Sequence, residues 1–191
     1  MPEAAFEHRL EEAVSLYLTA MGYNPSIYAG RLIEWSRQPT QRGFAAVAAI
    51  AHPAEIPATE TLFDHNCKLV GVGYSRTGVD SHWWHQQVRA GLHTQGWSVP
   101  SINALLSNYA ELSEIHVLPQ FQGEGLGKQM LQLLIAQRTE AAMLLSTPEF
   151  PNEANGAWRL YRQFGFADVL RNFHFGGDSR PFAVLGLRLP Q

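Results

Sequence analysis

The stretch "HVLPQFQGEGLGKQML", residues 116–131, constrains the fold more than any other part of the chain. Before it, "YAELSEIHVL" is an apolar, largely alternating run that reads as a β-strand; after it, Leu126, Met130, Leu133 and Leu134 recur at helical spacing. Between the two stand Gly123, Gly125 and Gly127. Residues without Cβ let backbone N–H groups converge and let a ligand come close, and the first turn of the next helix adds unpaired donors and a partial positive charge. A strand, a bare glycine loop and a helix, in that order, predict an anion site with phosphate as the natural guest. Two nucleotide motifs are excluded. A Walker A loop would need glycine at 122 and Ser or Thr at 129, where the chain has Gln122 and Gln129, and the Rossmann glycine spacing is not met.

Around this loop the chain reads as a mixed α/β protein. Phe6, Leu10, Val14, Tyr17, Leu18 and Met21 predict a first helix ended by Gly22, and "NPSIYAGRLIEW" a second, capped by Asn24 and stopping before Pro39. "GFAAVAAIA" and "CKLVGVGYS" read as strands, with residues 52–66 as a loop between them. "SHWWHQQVRAGL" has helical character within a long connection to the strand at "YAELSEIHVL". Beyond the glycine-loop helix follow a strand "AAMLLST", a helix "NEANGAWRLYRQF" and strands around "FADVLRNFHF" and "RPFAVLGLRL". Two helices, then strands, then strand–helix–strand–helix–strand predict one domain over residues 1–191, with a sheet containing at least one parallel crossover.

Composition narrows the function. A net charge of −3 gives no bulk attraction to nucleic acid or an anionic membrane, and no run reaches membrane-spanning length. The opening "MPEAAFEHRLEEAV" lacks the basic flank and apolar core of a targeting segment, so a cytoplasmic protein is expected. A single cysteine, Cys67, excludes an internal disulfide and a cysteine metal cluster, and its place in a strand makes it a packing residue before a nucleophile. His82 and His85 have helical spacing, but two residues do not make a metal site and only Asp80 stands near, so no metal is expected.

Val117-x-Pro119-x-x-Gln122-Gly123-x-Gly125-x-Gly127, on a strand and opening a helix, resembles the acetyl-coenzyme A loop of the GNAT (Gcn5-related) N-acetyltransferases. Downstream, "NGAWRLYRQFGF", with Asn155, Ala157, Tyr161, Gly165 and Phe166, resembles the family's later helix–turn–strand motif, and the likeness runs over residues 67–175. The Trp83–Trp84 insertion and the ending "FGGDSRPFAVLGL" are similar to an uncharacterised actinobacterial-type subgroup. The resemblance implies a mostly antiparallel sheet, splayed at the cofactor strand and flanked by helices. It implies acetyl-coenzyme A as acyl donor and transfer to a primary amine by direct attack, the acceptor being a small molecule or a peptide. A non-catalytic acyl-coenzyme A sensor and an acyltransferase for longer chains are the alternatives. A homodimer paired through aromatic strands near the carboxyl end is a further expectation.

Residue by residue, the resemblance places the backbone N–H of Val117 on the acetyl carbonyl, where it would stabilise the oxyanion. The backbones of Gln122, Gly123, Gly125 and Gly127, with Lys128, would hold the pyrophosphate. Glu124 departs from the family pattern and is expected to point to solvent, since a carboxylate beside phosphates is unfavourable. Tyr161, a phenol of ordinary pKa about 10, would protonate the leaving thiolate. Asn155 either bonds the pantetheine or caps the helix. A base must deprotonate the acceptor: Glu111, six residues before Val117, comes first and Glu114 second, while His116 reads as a packing or surface residue. Strand alternation puts Glu111 on one face with Ser113, Ile115 and Val117, and Glu114 with His116 on the other. Trp83 and Trp84 either wall the acceptor site or pack on the sheet.

Overall fold

The computed structural model describes residues 1–57 and 60–190; residues 58 and 59, within the loop expected over 52–66, lie outside the described residues. The elements in chain order are α1 (Glu3–His8), α2 (Leu10–Met21), α3 (Tyr28–Ser36), β1 (Ala45–Ala51), β2 (Lys68–Thr77), α4 (Trp83–Thr94), α5 (Val99–Leu106), β3 (Tyr109–Val117), α6 (Leu126–Ala136), β4 (Ala142–Pro148), α7 (Gly156–Gln163), β5 (Ala167–Phe173) and β6 (Phe182–Arg188). The six strands are ordered β1-β2-β3-β4-β6-β5. The pairs β1/β2, β4/β6 and β5/β6 are antiparallel and β3/β4 is parallel, so the sheet is mixed and mostly antiparallel. Among the described residues, no helix is long and apolar enough to cross a membrane.

The chain divides into two compact units. The first comprises Met1–Arg76 with Glu114–Gln137. Its core gathers Phe6, Val14, Tyr17, Trp35, Val72 and Tyr74, with Phe6, Trp35 and Tyr74 in mutual ring contact. The periodicity predicts one helix from Phe6 to Met21, but the structure breaks it at Arg9 (φ −97°, ψ 9°). The Arg9 guanidinium is fully buried, and a buried cation needs acceptors. It donates to the carbonyls of Thr61, Leu62, Asp64 and Cys67 and pairs with Glu12 at 2.6 Å, stapling the 61–67 turn to the helices. Cys67 is fully buried, and burial together with Asp64 pushes its thiol pKa up, which leaves an inert thiol.

The second unit comprises Thr77–Ser113 with Arg138 onward. Its core joins Val88 and Leu92 of α4, Ile102 and Leu106 of α5, Tyr109, Leu144, Leu170 and Val184. Helix α5 was not expected from the sequence; Ser98 caps it, accepting from Ser101 N–H at 3.3 Å, and Pro100 occupies its first turn. Close approach to the sheet demands glycine at Gly91, where an added Cβ would lie 2.6 Å from the Phe173 ring.

Candidate functional site

In the first unit, β3 ends where Pro119 removes a ladder donor. The chain then makes a 3₁₀ turn over Pro119–Phe121, with Phe121 N–H donating to Leu118 C=O at 2.9 Å and Gln122 N–H to Pro119 C=O at 3.2 Å. Gly123 (φ +86°) and Gly125 (φ +82°) follow in the left-handed region, which glycine alone enters at no steric cost. Gly125 is the N-cap of α6, and no side chain caps that helix. Its first internal bond runs from Gln129 N–H to Gly125 C=O, so the amides of Leu126, Gly127 and Lys128 open the helix without intrahelical partners. A Cβ at Gly123 would meet nothing within 4 Å, and one at Gly125 only Gln129 Nε2 at 4.0 Å. These glycines therefore leave space that no protein atom fills. Glu124 is exposed, as expected, and Lys128 is exposed beside the helix start. Amides without intrahelical partners, the positive end of the helix dipole and an exposed cation thus stand beside that open space, an arrangement that suits an anion.

Val117 sits at the entrance to this loop. Leu118 N–H donates to Val70 C=O at 2.9 Å. A Cβ added at Gly71 would lie 3.4 Å from His116 C=O and one at Gly73 3.1 Å from Glu114 C=O, in descending order along β3, so β2 and β3 run antiparallel. In such a ladder alternate residues turn their peptide groups to opposite edges. Leu118 faces β2; Val117 therefore turns its N–H and C=O the other way, and its C=O receives Gln122 Nε2 at 2.9 Å.

On the same strand, His116 Nε2 donates to Glu114 at 2.5 Å, which puts these two side chains on one face as alternation predicts. Tyr17 of α2 meets the His116 ring edge-on at 4.9 Å, and Arg31 of α3 lies over the Tyr17 ring at 5.4 Å. Burial, then Glu114, push the Tyr17 pKa up, so its phenol stays neutral at any working pH.

In the second unit, β3 pairs with β4 in parallel from Tyr109↔Ala142 to Glu111↔Leu144. Glu111 is buried and accepts from Ser113 Oγ at 3.3 Å, again as alternation predicts. Helix α7 carries two further candidates. Asn155 is its N-cap, accepting from Trp158 N–H at 2.9 Å, so the side chain serves as the cap. Tyr161 is buried with its ring 5.7 Å from Phe166.

An ion-pair network that the sequence pattern did not foretell holds α7. Arg162 bonds Glu153 and Asp168, and Arg171 bonds Glu149, Glu153 and Asp168. Both guanidiniums lie over the fully buried Trp158 ring, at 5.0 and 4.8 Å, and Trp158 Nε1 donates to Pro148 C=O. Asn152, Glu153 and Asn172, non-glycine residues at positive φ, lie in or next to the network in sequence, and Asn172 N–H donates to Glu149. Hydrogen bonds from Arg171 lower the Glu149 pKa and those from Arg162 lower that of Glu153. Burial opposes ionisation of Asp168, but the bonds from both arginines outweigh it in sum. The spacing Arg162, Asp168, Arg171 was the only sequence trace of this cluster.

The tryptophan pair divides. Trp84 is buried and donates to Ser146 Oγ at 3.1 Å, while Trp83 is 54% exposed beside Phe175. His82 is the N-cap of α4, and His85 is buried, hydrogen-bonding the Tyr109 hydroxyl at 3.1 Å. Burial, then Arg89, lower the His85 pKa, which favours the neutral imidazole. Among the described residues, no group of three or more His, Cys, Asp or Glu could hold a metal ion.

Residues 68–168 match the acetyltransferase (GNAT) domain. A GCN5-like protein acetyltransferase of Mycobacterium tuberculosis, an actinobacterium, is 41% identical over 100% of this chain and 96% of its own length. A crystal structure assigned to the GNAT family, from Desulfovibrio desulfuricans, matches with a TM-score of 0.60 at 13% identity, covering 100% of this chain and 95% of that one. YncA of Salmonella typhimurium, solved with acetyl-coenzyme A, matches at 0.55 and 16%, covering 100% and 92%.

Proposed function

The chain belongs to the GNAT acetyltransferase family, and we propose that it moves the acetyl group of acetyl-coenzyme A to a primary amine of a protein by direct attack. The observation that carries this reading is the bare loop at Gly123 and Gly125 opening an uncapped α6, one turn after a Val117 N–H directed away from β2. The loop and Lys128 hold the pyrophosphate, and Asn155 fixes the start of the helix that bears Tyr161. The mycobacterial relative is named a protein acetyltransferase, which supports a protein amine over a small metabolite.

The chemistry runs in balanced steps. An acceptor ammonium, with a lysine-like pKa of about 10.4, gives its proton to a strand carboxylate. Glu114 is better suited than Glu111, because it is only half-buried while Glu111 is enclosed. The free amine attacks the thioester carbon; the C–N bond forms and the carbonyl oxygen becomes an oxyanion that Val117 N–H stabilises more than it did the carbonyl. Collapse breaks the C–S bond and the thiolate takes the Tyr161 proton; the nitrogen, still carrying an extra proton after the attack, gives it up to restore the Tyr161 phenol, and the protonated carboxylate releases the first proton to water. No covalent acyl-enzyme is required, and the buried Cys67 thiol is unsuited to form one.

The test is acetylation of lysine-bearing peptides, followed by mass spectrometry and thiol release. Tyr161→Phe is expected to lower kcat by about 100-fold with acetyl-coenzyme A binding intact. An unchanged kcat would remove Tyr161 from the reaction, and turnover of small amines but no peptide would exclude a protein acceptor.

A further inference from the structure

Gln122 stands in the pyrophosphate loop, yet its backbone N–H is turned to Pro119 C=O at 3.2 Å. Its side chain instead reaches back five residues, and Nε2 donates to Val117 C=O at 2.9 Å. The partner is a carbonyl, so only the amide nitrogen can face it. The peptide unit joining Val117 to Leu118 is planar and rigid, and this one is gripped at both ends. Gln122 holds its C=O and Val70 C=O receives its N–H.

We infer that Gln122 is a positioning residue for acetyl transfer, acting through its side-chain amide on the Val117 peptide and not through its own N–H on the phosphates. Gripping the Val117–Leu118 unit fixes its plane and the position of the Val117 Cα, and so restrains through ψ the line along which Val117 N–H points. An oxyanion donor must be aimed before charge develops, because alignment gained only in the transition state is lost from the rate. Pro119 cannot supply a donor, Leu118 N–H faces β2, Phe121 N–H is used by Leu118 C=O and Gln122 N–H by Pro119 C=O, so none of these backbone groups replaces the Gln122 side-chain amide. The inference rests on the acetyltransferase reading for its catalytic half and on geometry alone for the latch.

Two variants separate donor from bulk. Gln122→Met keeps the length and loses the donor; Gln122→Arg keeps a donor. In the ligand-free protein, hydrogen exchange of the segment 117–122 should speed up about 2–10-fold in Gln122→Met and return towards wild type in Gln122→Arg, the range that one net hydrogen bond spans. In turnover, Gln122→Met should lose about the same factor in kcat while Kd for coenzyme A, which lacks the acetyl group, changes less than about twofold. Rescue by Gln122→Arg is read in kcat, since an added cation near pyrophosphate tightens coenzyme A by itself. Unchanged exchange in Gln122→Met would refute the latch. Unchanged kcat, or equal losses of kcat and coenzyme A affinity, would refute the positioning role. A wild type that shows the exchange effect but acetylates no amine would overturn the acetyltransferase reading and leave the latch standing.

Discussion

The glycine loop can be tested against backbone strain by two matched substitutions. Gly125 sits at φ +82° and Gly96, in the turn after α4, at φ +81°. An added Cβ at Gly96 meets nothing within 4 Å, and at Gly125 only Gln129 Nε2 at 4.0 Å, so neither alanine clashes with protein. What each loses is the freedom of glycine in the left-handed region, about 1–2 kcal/mol. For a chain of 191 residues, 1 kcal/mol moves Tm by roughly 2–4 °C, so both Gly125→Ala and Gly96→Ala should melt about 2–8 °C below wild type. Their ligand responses must then part. At Gly125 the methyl enters the space left for a phosphate, and coenzyme A affinity should fall at least tenfold, or about 1.4 kcal/mol; at Gly96 it should not change. Differential scanning calorimetry gives the first quantity and isothermal titration the second. Equal coenzyme A affinity in the two variants would refute the assignment of the loop, and an unshifted Tm in both would refute the strain argument.

Two further outcomes follow from the side-chain clusters. Glu114→Gln should lower kcat by about 100-fold and Glu111→Gln far less, read from pH–rate profiles; the reverse order would reassign the base to Glu111. In the Arg162–Arg171 network, Glu149, Glu153 and Asp168 have pKa values below the ordinary 4.5 and 3.8, so their contribution is fully present above those values and is lost as pH falls through the lower folded ones. Arg171→Met should therefore cost about 1–2 kcal/mol near neutral pH, a modest figure because the guanidinium is 36% exposed, and should flatten the acid limb of stability below about pH 4.5. Denaturant unfolding at several pH values checks both, and an acid limb as steep as in wild type would mean that the network does not titrate with folding.

What was readable in the chain was local. Pro119, Gly123 and Gly125 punctuate a strand and a helix over a few residues, so the strand–loop–helix arrangement could be drawn from residue types alone. Parity was equally legible, since the pairs Glu111–Ser113 and Glu114–His116 form where alternation puts them. Helix α5 escaped because "VPSINALL" is short and its start signals, Ser98 and Pro100, also suit a turn. The break at Arg9 escaped because the apolar period runs through it; what bends the chain is a set of carbonyls more than fifty residues away in sequence. Trp83 and Trp84 looked equivalent, but neighbours on a helix point about 100° apart, so one is buried and the other exposed. The Arg171 contacts with Glu149, 22 residues apart, have no local pattern to betray them.

The proposed acetyl transfer requires first that acetyl-coenzyme A enter the loop between β3 and α6. Isothermal titration of the purified full chain with acetyl-coenzyme A, beside Gly125→Glu, tests this directly. Saturable binding by the wild type and none by a folded Gly125→Glu is the predicted result, because a carboxylate would occupy the place of the pyrophosphate and repel it. Absence of binding by folded wild type, or undiminished binding by Gly125→Glu, would contradict it.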